Sequence, residues 1–171
     1  TIKCTHTKNK PVIVGIGELL WDMLPSGKKA GGAPVNFVYH ASLLGAESYA
    51  ISAIGKDALG DEILQELDKI KLSYFIERVD YPTGTVLVQL KEGIPNYTII
   101  ENVAWDYIPA TDEVKQLARR TDAICFGTLA QRSVVSRSTI HEILSLVPQS
   151  AYRILDINIR QHFYSKQIIE E

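Results

Sequence analysis

Cysteine is scarce in this sequence: there are two in 171 residues, Cys4 within a polar leader and Cys125 within the apolar run Ala123-Ile124-Cys125-Phe126. That excludes a disulfide framework, and with four histidines scattered along the chain it gives no zinc-ligand spacing. Charge of one sign is missing too. Eighteen Lys and Arg against twenty Asp and Glu leave a formal charge of −2, so there is no basic field for nucleic acid and no polybasic patch for a membrane surface. No apolar run approaches a membrane span, and the start Thr1-Ile2-Lys3-Cys4-Thr5-His6 lacks the apolar core of a signal peptide. We therefore expect a cytoplasmic protein with no nucleic-acid or membrane partner. Common catalytic motifs are absent as well: there is no Gly-x-Ser-x-Gly elbow and no Cys–His pairing. Gly15-Ile16-Gly17 follows a strand-like run, but Leu20 stands where a dinucleotide fingerprint needs its third glycine. Gly55-Lys56-Asp57 has Asp57 where a phosphate loop needs Ser or Thr.

What is present reads as one α/β domain, or part of a larger one, with 46% hydrophobic and 22% charged residues. After a polar leader over residues 1–11, Val12 to Ile16 is short, β-branched and bounded by glycine, the pattern of a buried strand. We read it as continuing through Gly17 and Glu18 to Leu24, with a turn at Pro25-Ser26-Gly27. Pro34 to Leu44 places Val35, Val38, Ala41 and Leu44 on one helical side, and Gly45 ends it. Tyr49 to Ile54 predicts a strand, followed by a helix with Ile63, Leu64, Leu67 and Ile70 inward. Three strand-like pieces then follow without a helix: Phe75 to Val79, Thr85 to Leu90 and Asn96 to Glu101. The last two alternate around Lys91-Glu92-Gly93-Ile94-Pro95 and predict an antiparallel hairpin projecting as a flap. Beyond it come a helix from Thr111 to Thr121, a strand from Ala123 to Phe126, a helix with Ile140, Ile143, Leu144 and Val147, and a strand from Tyr152 to Asn158. Strands alternating with amphipathic helices predict a mostly parallel sheet wound with helices on its faces. Ser165 begins a further helix, which we expect to continue in a longer protein.

Three stretches could carry chemistry. In Ala30-Gly31-Gly32-Ala33-Pro34-Val35-Asn36, the glycines permit close approach and Pro34 suits the first helical position, with Asn36 two residues on. Either Asn36 meets a small polar ligand in the space so cleared, or it caps the helix of a tight turn. Asp22 lies near a strand end, where ligands gather in open α/β sheets, and as a carboxylate it suits sugar hydroxyls; the alternative is a solvated loop acid. Asp156, Asn158 and Arg160 alternate, which puts them on one side of an extended segment, and Arg160 could hold an anionic group bidentately. His40 and His141 are read as surface or packing residues.

The run Gly31-Gly32-Ala33-Pro34-Val35-Asn36, with Gly45 and Gly55-Lys56-Asp57-Ala58-Leu59-Gly60-Asp61, resembles the N-terminal signature of the ribokinase-like (PfkB) carbohydrate kinases. Gly17-Glu18-Leu19-Leu20-Trp21-Asp22 and Asp156-Ile157-Asn158-Ile159-Arg160-Gln161 are most similar to the fructokinase branch. Val38 departs from the small residue usual there. The resemblance implies a ribokinase-like doubly wound α/β domain over residues 12–171, with lid strands near 19–30 and 85–101. It implies that Asp22, Gly31, Gly32 and Asn36 belong to a sugar site and that Arg160 lies near the transferred phosphate or the sugar's far end. Tyr97, Ile99 and Trp105 are the lid residues expected to face the sugar and set specificity. A small-molecule sugar as partner, ATP with Mg2+ as cofactors, no metal ligands within this stretch and a homodimer through the lid are implied likewise. The family's Gly-Ala-Gly-Asp base has no counterpart here. The stretch is therefore expected to supply the sugar pocket and lid without the base, to lack the C-terminal part of the fold, and to be inactive alone.

Overall fold

The computed structural model describes residues 10–91 and 94–170, except the side chains of 89–91 and 94–96. Most of the polar leader, with Cys4, and Glu92-Gly93 of the hairpin turn lie outside the described residues. The elements in order are β1 (Val12–Ile16), β2 (Leu20–Leu24), β3 (Gly27–Gly31), α1 (Ala33–Leu43), β4 (Glu47–Gly55), α2 (Ala58–Lys69), β5 (Ser73–Val79), β6 (Gly84–Lys91) and β7 (Ile94–Ile99). Then follow α3 (Asp112–Ala118), β8 (Ala123–Gly127), α4 (Val134–Leu146), β9 (Tyr152–Asp156) and α5 (Lys166–Glu170), with 3-10 turns at Ala104–Tyr107 and Leu129–Arg132.

Five strands form one sheet in the order β5-β4-β1-β8-β9, and every pairing is parallel. Strands covered on both faces must be apolar on both, and β1 is so built. Val12, Val14 and Ile16 join the core shared with α3 and α4, and Ile13 packs with Val35, Val38, Ile63 and Leu67 of α1 and α2. Gly15 lets α1 rest on β1, because any side chain there would run into the Pro34 carbonyl. The direction of winding reverses between β1 and β8. In such sheets the loops at that reversal leave a crevice.

Four strands form the second sheet, in the order β3-β2-β6-β7. The β6–β7 hairpin is antiparallel, as its alternation predicts, while β2 runs parallel to β6 and antiparallel to β3. The first strand does not continue to Leu24 as expected. Gly17, at φ +152°, donates to the Ile51 carbonyl at 3.1 Å and turns the chain out of the large sheet, so Asp22 belongs to the second one. Phe75 to Val79, grouped above with the hairpin, instead lies in the large sheet beside β4.

Helix ends account for smaller differences. Ala33, not Pro34, is the first residue of α1, since Gly32 is its cap at φ +133°. Leu44, expected on the inward stripe, follows the last turn and is 91% exposed. In the same way Ile70 closes α2 and is exposed. Thr111 caps α3 by accepting from the Val114 N–H at 3.3 Å, but that helix ends at Ala118, before Thr121.

The stretch Gly55-Lys56-Asp57-Ala58-Leu59-Gly60 ties the two sheets together. Asp57 caps α2 by accepting from the Gly60 N–H at 2.8 Å. It also accepts from the Thr83 N–H at 2.8 Å and the Thr83 hydroxyl at 2.6 Å, directly before β6 begins. A side chain at Gly60 would stand 2.6 Å from the Gly55 carbonyl oxygen, so glycine is required for this close packing.

Candidate functional site

The crevice at the winding reversal is a cavity of about 410 Å³. Its lining comes from seven parts of the chain: Glu18 after β1, Leu20 and Asp22 of β2, Gly32, Ala33 and Asn36 at the start of α1, Val86 of β6, Tyr97 and Ile99 of β7, Leu129 after β8, and Asn158 and Arg160 after β9. Asp22, Gly32, Asn36, Tyr97, Ile99 and Arg160, the residues expected at a site, are thus brought together. Gly31 is not in the lining. It lies behind Asp22, where an added Cβ would stand 3.0 Å from Asp22 Oδ2, so its contribution is room for that carboxylate.

Each position has a local cause. Leu20, Asp22, Val86, Tyr97 and Ile99 reach the cavity because alternate strand residues share a face and their strands are paired. The register sets Asp22 beside Val86 on one side and Lys29 on the other. Burial raises the Asp22 carboxyl above its ordinary range, and the Lys29 ammonium pulls it back in part. Gly32 is required by its backbone angle and because a side chain there would strike the Glu18 carbonyl oxygen. Asn36 does not cap α1, which has no side-chain cap from Gly32; the Ala33 N–H instead donates to Glu18 Oε1 at 3.2 Å. Of the alternating set, Asn158 and Arg160 line the cavity and Asp156 does not, because β9 ends at Asp156 and the extended alternation ends with it.

Trp105 is corrected. It is fully buried and lies outside the lining, under the Arg132 guanidinium at 3.9 Å from its ring centroid. Gly84 admits the indole, since a side chain there would collide with it. Arg132 is itself buried, with Nε 2.8 Å from Asp106 Oδ1 and Nη2 2.9 Å from Oδ2, and it donates to the Ile100 carbonyl at 2.7 Å. His40 is exposed and His141 shares a 3.3 Å contact with Gln131, in keeping with the expected surface and packing roles.

Sequence reasoning missed Glu18. It is 2% exposed, and burial pushes its carboxyl up to about 7. The rule that drew attention to Asp22, a carboxylate at a strand's C-terminal end, applies with more force to an acid two residues beyond the central strand.

The polar groups facing the cavity are hydrogen-bonding acids and amides with one guanidinium. Among the described residues, no group of three or more His, Cys, Asp or Glu side chains could hold a metal ion. The lining fits a polyhydroxylated molecule with at most one anionic group. No helix among the described residues is long and apolar enough to cross a membrane.

Comparison with known proteins gives this geometry a family. A sugar kinase of Pyrococcus horikoshii, described as putative, is 27% identical over 169 residues, covering 91% of this chain and 54% of its own. Its crystal structure in complex with ATP matches with a TM-score of 0.79 at 29% identity, covering 92% of this chain and 57% of that one. The ATP-dependent 6-phosphofructokinase of Thermoanaerobacterium thermosaccharolyticum is 30% identical over 155 residues, 83% of this chain and 47% of that protein. The fructokinase of Salmonella typhimurium is 25% identical over 164 residues, 90% and 53% respectively. The chain thus spans about half the length of the curated relatives it matches. The family model described as pfkB family carbohydrate kinase matches residues 26–171, which include the double glycine, the Asp57 linkage and both hairpin strands, so this chain belongs to the pfkB family of carbohydrate kinases.

Proposed function

We propose that the protein is an ATP-dependent sugar kinase acting on a ketohexose hydroxyl, a fructokinase, with the cavity as its acceptor site. The observation that carries this reading is the convergence of Asp22, Asn36, Asn158 and Arg160, from three separate segments, on one cavity roofed by the second sheet. Asp22 accepts hydrogen bonds from sugar hydroxyls, Asn36 and Asn158 both donate and accept, and Gly31 and Gly32 keep the backbone clear. Tyr97 and Ile99 cover the sugar from above. The second sheet acts as a lid, because phosphoryl transfer needs water excluded from the acceptor. ATP is the phosphoryl donor and Mg2+ its counter-ion, held by residues outside this cavity, and the stretch described here supplies the acceptor side of the reaction. A homodimer through the lid would cover Leu24 and Leu87, which are exposed on the second sheet.

Arg160 favours a second reading. A guanidinium at the cavity wall pairs with a carboxylate as readily as with a phosphate, so a 2-keto-3-deoxy sugar acid is the alternative acceptor. Assay of the full-length protein for ADP release with fructose, fructose 6-phosphate, ribose, nucleosides and 2-keto-3-deoxy acids decides between them. Turnover with fructose is expected; turnover with nucleosides or keto acids alone overturns the fructokinase assignment, and turnover with none overturns the kinase.

A further inference from the structure

Glu18 has one oxygen too many for a structural role. Its Oε1 accepts from the first N–H of α1. Its Oε2 is buried without a hydrogen-bond partner, on a residue that lines the cavity. Buried carboxylate oxygens are ordinarily paired, and one left open beside a cavity asks for a donor from whatever fills it. Capping α1 needs a single acceptor, which glutamine or a shorter side chain would provide. The backbone at Glu18 is also held, since Gly32 packs directly on its carbonyl.

We propose that Glu18 is a substrate-contacting, specificity-determining residue whose Oε2 accepts a hydrogen bond from one hydroxyl of the bound sugar while Ala33 keeps Oε1 in place. This rests on the reading of the cavity as a sugar site. The charged and titratable groups around Glu18 are Asp156 at the end of β9, Cys125 on β8, Arg132 after β8, and, across the cavity, Asp22 on β2, Tyr97 on β7 and Arg160 after β9. Burial dominates Asp156 and Arg132, which act in opposite senses, and places the Glu18 carboxyl near 7. Both protonation states are then present at neutral pH. The ionised form only accepts, so it takes a sugar hydroxyl better than the neutral acid does. Sugar binding accordingly strengthens as pH rises through that value.

The test is steady-state kinetics on the full-length protein with the sugar it phosphorylates and the set of its single-deoxy analogues. Glu18→Gln keeps an acceptor for Ala33, and its melting temperature reports whether it folds. The expected result is a sugar KM raised by about 10-fold or more with the KM for ATP unchanged. The fall in sugar KM between about pH 6 and 8 in the wild type is lost in the variant. One deoxy analogue, poor with the wild type, is used by the variant no worse than the parent sugar. That analogue also lacks the pH dependence with the wild type, which needs no variant. A sugar KM within twofold of wild type and unchanged analogue selectivity overturn the proposal alone. No turnover with any sugar overturns it together with the kinase reading.

Discussion

Asp22 is where a single side chain tests the cavity. It is fixed between Lys29 and Val86 by strand register and has space because Gly31 carries no side chain. Replacing it with asparagine removes charge and one accepting oxygen while keeping the shape. A hydrogen bond to a charged group is worth about 1.5–3 kcal/mol, so Asp22→Asn is expected to raise the sugar KM by about 10- to 100-fold. The KM for ATP should hold. An unchanged sugar KM would place the acceptor elsewhere.

At the scale of elements, Asp57 does two things at once: it caps α2 and holds Thr83 at the root of β6. Burial would raise its carboxyl, but the hydrogen bonds from Thr83 and Gly60 outweigh that and keep it below its ordinary value. Losing a cap costs about 0.5–2 kcal/mol, so Asp57→Ala should lower the melting temperature of the full-length protein by roughly 1–8 °C. Because the folded carboxyl is depressed, its contribution is complete above the ordinary carboxylate value and is lost as pH falls through the folded one. The gap between wild type and variant should therefore begin to narrow as pH falls below about 4, and a gap independent of pH would contradict this role. The Asp57 linkage also shows what the sequence could and could not disclose. Strands such as Val12–Ile16, and the stripe of Ile63 and Leu67, were legible because burial writes itself into apolar spacing. The departure of the chain at Gly17 was not, since a run from Val12 to Leu24 is apolar whether it lies in one sheet or two. That Asp22 and Asn36 meet at one cavity was legible from family spacing. Glu18 passed unnoticed although the same strand-end rule covers it, because its burial under α1, which sets it apart from a solvated loop acid, is recorded in no local pattern.

Across the whole molecule, Arg132 joins parts that local sequence keeps far apart. Its guanidinium lies between the rings of Trp105 and Phe163, at 3.9 and 4.5 Å, and grips Asp106 with two hydrogen bonds and the carbonyl of Ile100 just after β7. The second sheet, the large sheet and the segment after β9 thus meet at one buried cation. Removing one partner of a buried pair strands the other, at a cost of about 3–5 kcal/mol. Arg132→Ala should accordingly lower the melting temperature of the full-length protein by roughly 6–20 °C, and a fall under about 3 °C would mean that the junction is held by its apolar contacts alone.

The placing of β1 between β4 and β8 governs how the protein can be assembled during synthesis. One edge of β1 finds β4 soon after it is made, but the other waits for β8, and the Val12 N–H that bonds Asp122 Oδ2 lies 110 residues before it. At translation rates of about 5–20 residues per second, that edge stays open for roughly 5–20 seconds. Glu18, two residues beyond this strand, shares the cavity with Asn158 and Arg160, so the cavity cannot be complete until most of the described chain has left the ribosome. An open edge of apolar parallel strand is also a template for wrong pairing. The same central position that puts β1 beside the crevice makes it the strand most in need of protection while the protein is being made.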